Sequence, residues 1–154
     1  MKKIIFGLSI ISFSINSFAA TSGSFLLKGQ VPEVLNIVIT PESIANTLPL
    51  EISQSGTKVA TIKERSNLAL GYRVKMQSGN LGNLIRSGGS ELFPYYITYN
   101  NLPVNLVQTQ TYSYHASEAV VVNRDIKIYY TGVPAENMVS GEYTDTITFT
   151  ISSN

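Results

Sequence analysis

The chain has 154 residues, a formal net charge of +1 and no cysteine. A charge this close to neutral excludes a strongly basic nucleic-acid-binding protein. Because cysteine is absent and histidine occurs once, a Cys/His zinc site is excluded as well.

The first nineteen residues have the pattern of a cleaved secretory signal peptide. Lys2 and Lys3 precede an apolar run over residues 4–11, and Ser17-Phe18-Ala19 places small residues where a signal peptidase reads them. This run is shorter than the roughly 18 residues that a membrane-spanning helix needs. We therefore predict cleavage after Ala19 and no transmembrane segment in the mature chain.

The mature chain, residues 20–154, has about 135 residues, which suits a single domain. Loss of the two signal lysines brings its net charge to about −1. A signal that opens with lysines, on a chain without disulfides, is typical of bacteria. We expect export to the periplasm, and then to the cell surface, of a Gram-negative bacterium.

The start of the mature chain predicts two extended pieces, residues 24–31 and 35–39, joined at Pro32. Proline cannot donate to a strand ladder, so it marks the break between them. The alternate positions of the first piece form an apolar face. That face consists of Phe25, Leu27, Gly29 and Val31.

Short alternating segments separated by turn residues fill the middle of the chain. Gln54-Ser55-Gly56 predicts a turn, residues 78–90 predict a loop, and Asn100-Asn101 favours a tight hairpin because asparagine tolerates positive φ. The predicted strands are residues 48–52, 60–63, 70–77, 93–99, 102–106 and 124–130.

The last strand has the clearest alternation. Threonines at even positions alternate with Ile147, Phe149 and Ile151, and Gly141 precedes them. A strand sends successive side chains to opposite faces, so this segment predicts one strand with one buried face. With about nine short strands and no amphipathic helix, the whole chain predicts an all-β sandwich.

Few residues qualify for catalysis. Nucleophilic catalysis needs a base beside the nucleophile, and the single histidine, His115, falls in a polar segment. Glu142 and Asp145 flank Tyr143, and Asp125 opens another strand. Capping of turns and strand ends is the favoured interpretation of these carboxylates, with an acid pair or a calcium site as alternatives. We expect no enzyme and no cofactor.

Basic residues suggest one small surface patch. If the strand that carries Lys63 and Arg65 pairs as a hairpin with residues 70–77, four cations meet on the outer face of the sheet. An ordinary solvated sheet face is the alternative interpretation. The four cations are Lys63, Arg65, Arg73 and Lys75.

Tyrosines are abundant in the second half of the chain. Tyrosine stacks on sugars and anchors interfaces, although it also packs sandwich cores. Tyr112, Tyr114 and His115 form our candidate ligand surface, with core packing as the alternative for the tyrosines.

The closing segment from Gly141 to Ile151 resembles a known pattern. It reads GEYTDTITFTI, which is similar to the Gly-x-Tyr-x-Asp-Thr-hydrophobic closing strand of bacterial fimbrial subunits of the spore-coat-U-like and archaic chaperone–usher type. Ser66-Asn67, Gly71-Tyr72 and the strand from Asp125 occur in the order expected of such pilin-like domains.

This resemblance implies an immunoglobulin-like β-sandwich of about 7–9 antiparallel strands that lacks its last strand. A donor strand from a neighbouring subunit or a periplasmic chaperone would complete it by strand addition, with an outer-membrane usher as a further partner. Residues 20–31 are then the donor-strand arm. The acceptor edge strand comprises Tyr143, Ile147, Phe149 and Ile151.

Two functions remain open at this point. The first is a structural subunit of an exported surface fibre, a fimbria or pilus, with an adhesion role. In the second, residues 20–31 form the first strand of a self-contained periplasmic or surface binding module for carbohydrate or protein. The partners expected are other copies or related fibre subunits in the first case, and nucleic acid in neither.

Overall fold

The computed structural model describes residues 21–116 and 118–154, so the predicted signal peptide lies outside the described residues. The chain divides into two units, Met1–Val31 and Pro32–Asn154. In the first unit, residues 21–31 have neither helix nor strand, and their side chains are exposed.

The regular secondary structure described for the second unit is almost entirely β-strand. Its helical content is two short 3₁₀ turns, Ser43–Asn46 and Ala135–Asn137. Eleven strands occur in the described part of the chain: β1 Leu35–Pro41, β2 Gln54–Ser66, β3 Tyr72–Ser78, β4 Asn83–Arg86, β5 Leu92–Pro94, β6 Tyr96–Tyr99, β7 Leu102–Val104, β8 Gln110–Tyr114, β9 Val120–Tyr130, β10 Tyr143–Thr144 and β11 Ile147–Ser153.

The strands form three sheets in which every pairing is antiparallel. The largest has the order β1-β2-β9-β6-β7, and the two smaller ones have the orders β11-β3-β8 and β10-β4-β5. All three contribute to one apolar core, which includes Ile62 and Ile128 from the large sheet, Val74 and Met76 from β3, and Leu84 from β4. The predicted all-β sandwich is confirmed.

Two predicted strands are each divided between sheets, which is one reason the structure has eleven strands rather than the expected 7–9. Residues 93–99 break at Tyr95, whose backbone N–H donates to the carbonyl of Gly82. Before the break β5 pairs with β4, and after it β6 pairs with β7 and β9. The closing segment breaks in the same way at Asp145, because β10 pairs with β4 whereas β11 pairs with β3.

The hairpin between β6 and β7 is confirmed. Asn100 and Asn101 have φ angles of 50° and 63°, the left-handed conformation that a tight turn of this kind requires. Asparagine adopts this conformation more readily than most residues because its short amide can bond to the local backbone.

Three local predictions are wrong. Residues 48–52 form a turn rather than a strand, with the Leu50 carbonyl accepting from the N–H of Val133. The predicted turn at residues 54–56 lies inside β2, where the register shifts between Ser55 and Thr57 and Gly56 has a φ of 108°. The predicted loop over residues 78–90 contains β4.

Candidate functional site: an open groove between two edge strands

The edges of two sheets come together beside β1 and β11. β1 is an edge strand of the large sheet, and β11 is an edge strand of the sheet β11-β3-β8. The two strands are neighbours in space but belong to different ladders. An edge strand presents backbone N–H and C=O groups that can pair with a further strand.

An apolar hollow of about 320 Å³ opens between these strands. Its walls include Ile39 on β1 and Ile147 and Phe149 on β11. Its floor includes Ile126 and Ile128, which belong to the buried core. The core therefore reaches the surface along this groove, which we call the edge groove.

The burial pattern of β11 matches that of a core strand only in part. Ile147, Phe149 and Ile151 point inward, but each is only half-buried, whereas Thr148 and Thr150 on the other face are exposed. Large apolar side chains on the inner face of a sandwich strand are normally covered. Ile147 and Phe149 line the groove, so their half-burial marks it as an uncovered part of the core.

Asp145 lies at one end of the edge groove, at the bend between β10 and β11. Its carboxylate accepts hydrogen bonds from the Ser78 hydroxyl at 2.5 Å, the Tyr95 hydroxyl at 2.6 Å and the Asn80 backbone N–H at 3.0 Å. Burial and the bond to Asp145 raise the pKa of Tyr95 well above its usual range. These bonds fix the corner at which the chain changes sheets.

A second polar cluster lies inside the sandwich around Glu64, which is fully buried on β2. It accepts hydrogen bonds from the hydroxyls of Tyr72, at 2.7 Å, and Tyr99, and from Arg124 Nε at 2.9 Å. The Arg124 guanidinium also lies 4.0 Å from the ring centre of Tyr114. A buried charge needs such partners, so this cluster serves as a structural pin between β2, β3, β6 and β9.

Sequence reasoning missed the Glu64 cluster, although a signal was present. Glu64 alternates with Ile62, so it falls in the inward phase of β2. An ionisable residue at an inward position needs a buried partner. Nothing in the sequence indicates that the partner is Arg124, which lies 60 positions away.

The predicted acceptor residues do not all share one edge. Ile147, Phe149 and Ile151 lie on β11, as expected, whereas Tyr143 lies on β10 and pairs with Arg86 of β4. Placing Tyr143 on the same edge strand was wrong, because Asp145 divides the segment. The structure adds β1, with Ile39, as the second wall of the groove.

The predicted donor residues are exposed in the first unit. Phe25, Leu27 and Val31 are 84%, 83% and 81% exposed. A Cβ placed on Gly29 would meet nothing within 4 Å. The alternating apolar face is therefore accessible.

The candidate ligand residues have different surroundings from one another. Tyr112 is half-buried and donates to the Pro103 carbonyl at 2.6 Å, and its ring centre lies 5.2 Å from that of Tyr99. The Tyr114 hydroxyl is buried beside the Glu64 cluster, and His115 is exposed. The two tyrosines thus contribute to packing, as in the alternative interpretation.

The predicted basic patch is not formed. β2 pairs with β1 and β9, while β3 pairs with β11 and β8, so the expected hairpin between them was wrong. Lys63 and Arg65 lie on one sheet, and Arg73 and Lys75 lie on another.

The chain is thus an all-β sandwich with an uncovered apolar groove between two edge strands. No protein-family profile and no curated protein matches its sequence. Within the described ranges, none of the helices has the length and apolar character needed to cross a membrane.

Proposed function

We propose that the chain is an exported structural subunit of a bacterial surface fibre that assembles by β-strand addition. Residues 24–31 of one copy occupy the edge groove of the next copy and pair with β11. The observation that carries this proposal is the groove itself, where the apolar core is open between the edges of β1 and β11.

The chemistry of the arm complements that of the groove. Strand addition takes affinity from main-chain hydrogen bonds and specificity from pockets that accept alternate side chains. The arm offers three large apolar side chains, Phe25, Leu27 and Val31, at alternate positions. β11 has 7 residues, so an arm of similar length covers its whole edge.

The energetics favour an occupied groove. Burying one large apolar side chain contributes about 1.5–3 kcal/mol, so three of them offset a substantial cost of ordering the arm. An open apolar edge is also a hazard, because unrelated strands can add to it. This supports a periplasmic chaperone that covers the groove before assembly and an outer-membrane usher that exchanges it for the arm of the next subunit.

A matched pair of arm variants tests the proposal. Leu27→Asp places a charge on the face that enters the groove, whereas Lys28→Asp changes the charge on the opposite face of the same strand. We expect light scattering of the mature chain to detect polymers for the unmodified protein and for Lys28→Asp, and monomers for Leu27→Asp. A synthetic peptide of residues 21–31 in excess should suppress the polymers.

Two outcomes would overturn the fibre proposal. One is polymer formation by Leu27→Asp that equals that of Lys28→Asp. The other is an unmodified mature chain that is a monodisperse monomer and whose stability does not change when residues 20–31 are deleted. The second result would favour a self-contained binding module whose fold does not need residues 20–31, and exposed aromatic residues on the large sheet support such a module.

A further inference from the structure

A stacked pair of tyrosines stands on the outer face of the large sheet. Tyr96 on β6 and Tyr129 on β9 are direct cross-strand partners. Their ring centres are 4.7 Å apart, and their planes differ by 6°. Tyr96 is 54% exposed, so the pair presents aromatic surface to solvent.

The neighbouring backbone holds the pair in place. Gly56 lies against the Tyr129 ring, since a Cβ on this glycine would lie 3.0 Å from the hydroxyl oxygen and 3.2 Å from ring carbons. Tyr129 is therefore held between Gly56 and Tyr96. The pairing of β6 with β7 begins at Ile97, so the ladder does not extend to Tyr96. Together with its exposure, this leaves the second face of the Tyr96 ring open.

The pair borders a hollow of about 490 Å³ whose lining, among the residues that the structure describes, carries no charged side chain. Pro94 adds an apolar surface, and Ser55 and Thr131 add two hydroxyls. Ser55 and Thr131 are exposed. The hollow thus combines an open aromatic ring with neutral hydrogen-bonding groups.

We propose that this hollow, the tyrosine hollow, binds a neutral saccharide, with the apolar face of a pyranose ring stacked on Tyr96. Hydroxyls of the sugar then bond to the side-chain hydroxyls of Ser55 and Thr131. An anionic ligand finds no cation in the lining, and a purely apolar ligand leaves the polar rim without partners. A pyranose has both the apolar face and the hydroxyls that this lining matches.

This proposal does not rest on fibre assembly. The tyrosine hollow is built from β2, β5, β6, β9 and the loop after β9, whereas the open walls of the edge groove are β1 and β11. A sugar site here gives a fibre subunit an adhesive surface, and it gives a self-contained module its ligand. Binding can thus be measured whether or not the chain polymerises.

Titration with defined sugars tests the site. The chain has nine tyrosines and no tryptophan, so tyrosine fluorescence can be followed without a tryptophan background, and calorimetry gives a second readout. The probes are cellotetraose, mannotetraose and lactose, with a heparin tetrasaccharide as the anionic comparison. We expect saturable binding of at least one neutral probe, weakened about tenfold or more by Tyr96→Ala and changed less than about threefold by Tyr96→Phe, which keeps the ring.

The control variant is Tyr112→Ala, which removes a tyrosine outside the hollow and should leave binding unchanged. Thermal unfolding verifies that Tyr96→Ala remains folded, as expected for an exposed side chain. The proposal is overturned if no neutral probe binds at concentrations up to about 10 mM. It is also overturned if Tyr96→Ala binds as the unmodified protein does, or if only the heparin probe binds.

Discussion

Arg124 Nε donates to Glu64 Oε2 at 2.9 Å, which joins β9 to β2 inside the sandwich. Glu64 is fully buried, and the Arg124 side chain is 14% exposed. Burial alone would lower the pKa of Arg124, but the hydrogen bonds to Glu64 and Tyr72 and the attraction of the Glu64 charge together outweigh burial and raise the pKa. Arg124 therefore stays ionised, and the stability of this contact depends on both partners being present.

Removing Glu64 from its pair with Arg124 should strongly destabilise the fold. Glu64→Ala leaves a buried guanidinium and two tyrosine hydroxyls without their acceptor, so we expect a loss of about 3–5 kcal/mol in the free energy of unfolding. Urea denaturation measures this loss. Asp125→Ala is the control, because Asp125 pairs with Lys58 near the surface, and its removal should cost less than about 1 kcal/mol. Equal losses in the two variants would contradict the role assigned to Glu64.

Alkaline pH should destabilise the fold. Burial and the hydrogen bond to Glu64 raise the pKa of Tyr72 to about 12, and the pKa values of Tyr95 and Tyr99 are raised for similar reasons. The folded chain holds these protons more tightly than the unfolded chain, whose tyrosines titrate near pH 10. Stability should therefore be complete below about pH 10 and fall as the pH rises toward about 12.

Urea denaturation at pH values from about 8 to about 11.5 measures this dependence. Tyr72→Phe removes one of the three phenols and should make the decline shallower. A free energy of unfolding that stays constant over the whole range would show that the buried phenols are not linked to folding.

Two glycines with similar backbone conformations should respond differently to substitution. Gly71 and Gly88 have φ angles of 79° and 72°, so alanine is strained at both. At Gly71 the added Cβ would overlap the backbone carbonyl of Tyr114, whereas at Gly88 it would meet nothing within 4 Å. We expect Gly88→Ala to cost about 1 kcal/mol and Gly71→Ala at least about twice that. Thermal unfolding of the two variants makes the comparison, and similar losses would refute it.

Alanine substitution of two carboxylates near the closing strand should lower the free energy of unfolding by different amounts. Asp145 accepts hydrogen bonds from Ser78, Tyr95 and the backbone, whereas Glu142 is exposed. We expect Asp145→Ala to cost about 2–4 kcal/mol, because two buried or half-buried donors lose their acceptor, and Glu142→Ala to stay within about 0.5 kcal/mol. Chemical denaturation measures both losses. An Asp145→Ala variant as stable as the unmodified protein would contradict the claim that the hydrogen bonds of Asp145 fix the bend between β10 and β11.

Local patterns predicted much of the fold. The alternation over residues 72–76 and 147–151 identified the inward faces of β3 and β11, because a strand has a side-chain period of two. Asn100-Asn101 predicted its hairpin from φ preferences alone. In these cases the information lies within a few neighbouring residues.

The breaks in the strands could not be predicted in this way. Tyr95 changes sheets because of a bond to Gly82, and Asp145 because of contacts with Ser78 and Asn80. These partners are distant in sequence, so no local pattern contains them. For the same reason, the sequence predicted β11 as one wall of the edge groove but did not identify β1 as the other wall.

The tyrosine hollow depends on register in the same way. The sequence indicated that tyrosines are abundant, but stacking of Tyr96 on Tyr129 requires the pairing of β6 with β9. A shift of one residue would send Tyr96 to the other face of the sheet. The sequence therefore pointed to tyrosines as ligand residues but selected Tyr112 and Tyr114.

The central claim is that the arm of one copy lies in the edge groove of another, and engineered cysteines test it most directly. The natural chain has no cysteine, so any disulfide reports the engineered pair. One preparation carries Leu27→Cys, and a second, distinguishable by mass, carries Cys at Ile147, Phe149 or Ile151. Inward-facing residues on adjacent strands bring their Cβ atoms close enough for a disulfide.

After mixing and mild oxidation, our account predicts a mixed disulfide dimer between Leu27→Cys and at least one of the three β11 variants. Lys28→Cys, on the opposite face of the arm, should give none. A chain that carries both cysteines should give intermolecular ladders on a non-reducing gel. An internal disulfide in that chain, with no mixed dimer in any of the three pairs, would contradict the claim and assign residues 24–31 to the first strand of their own domain.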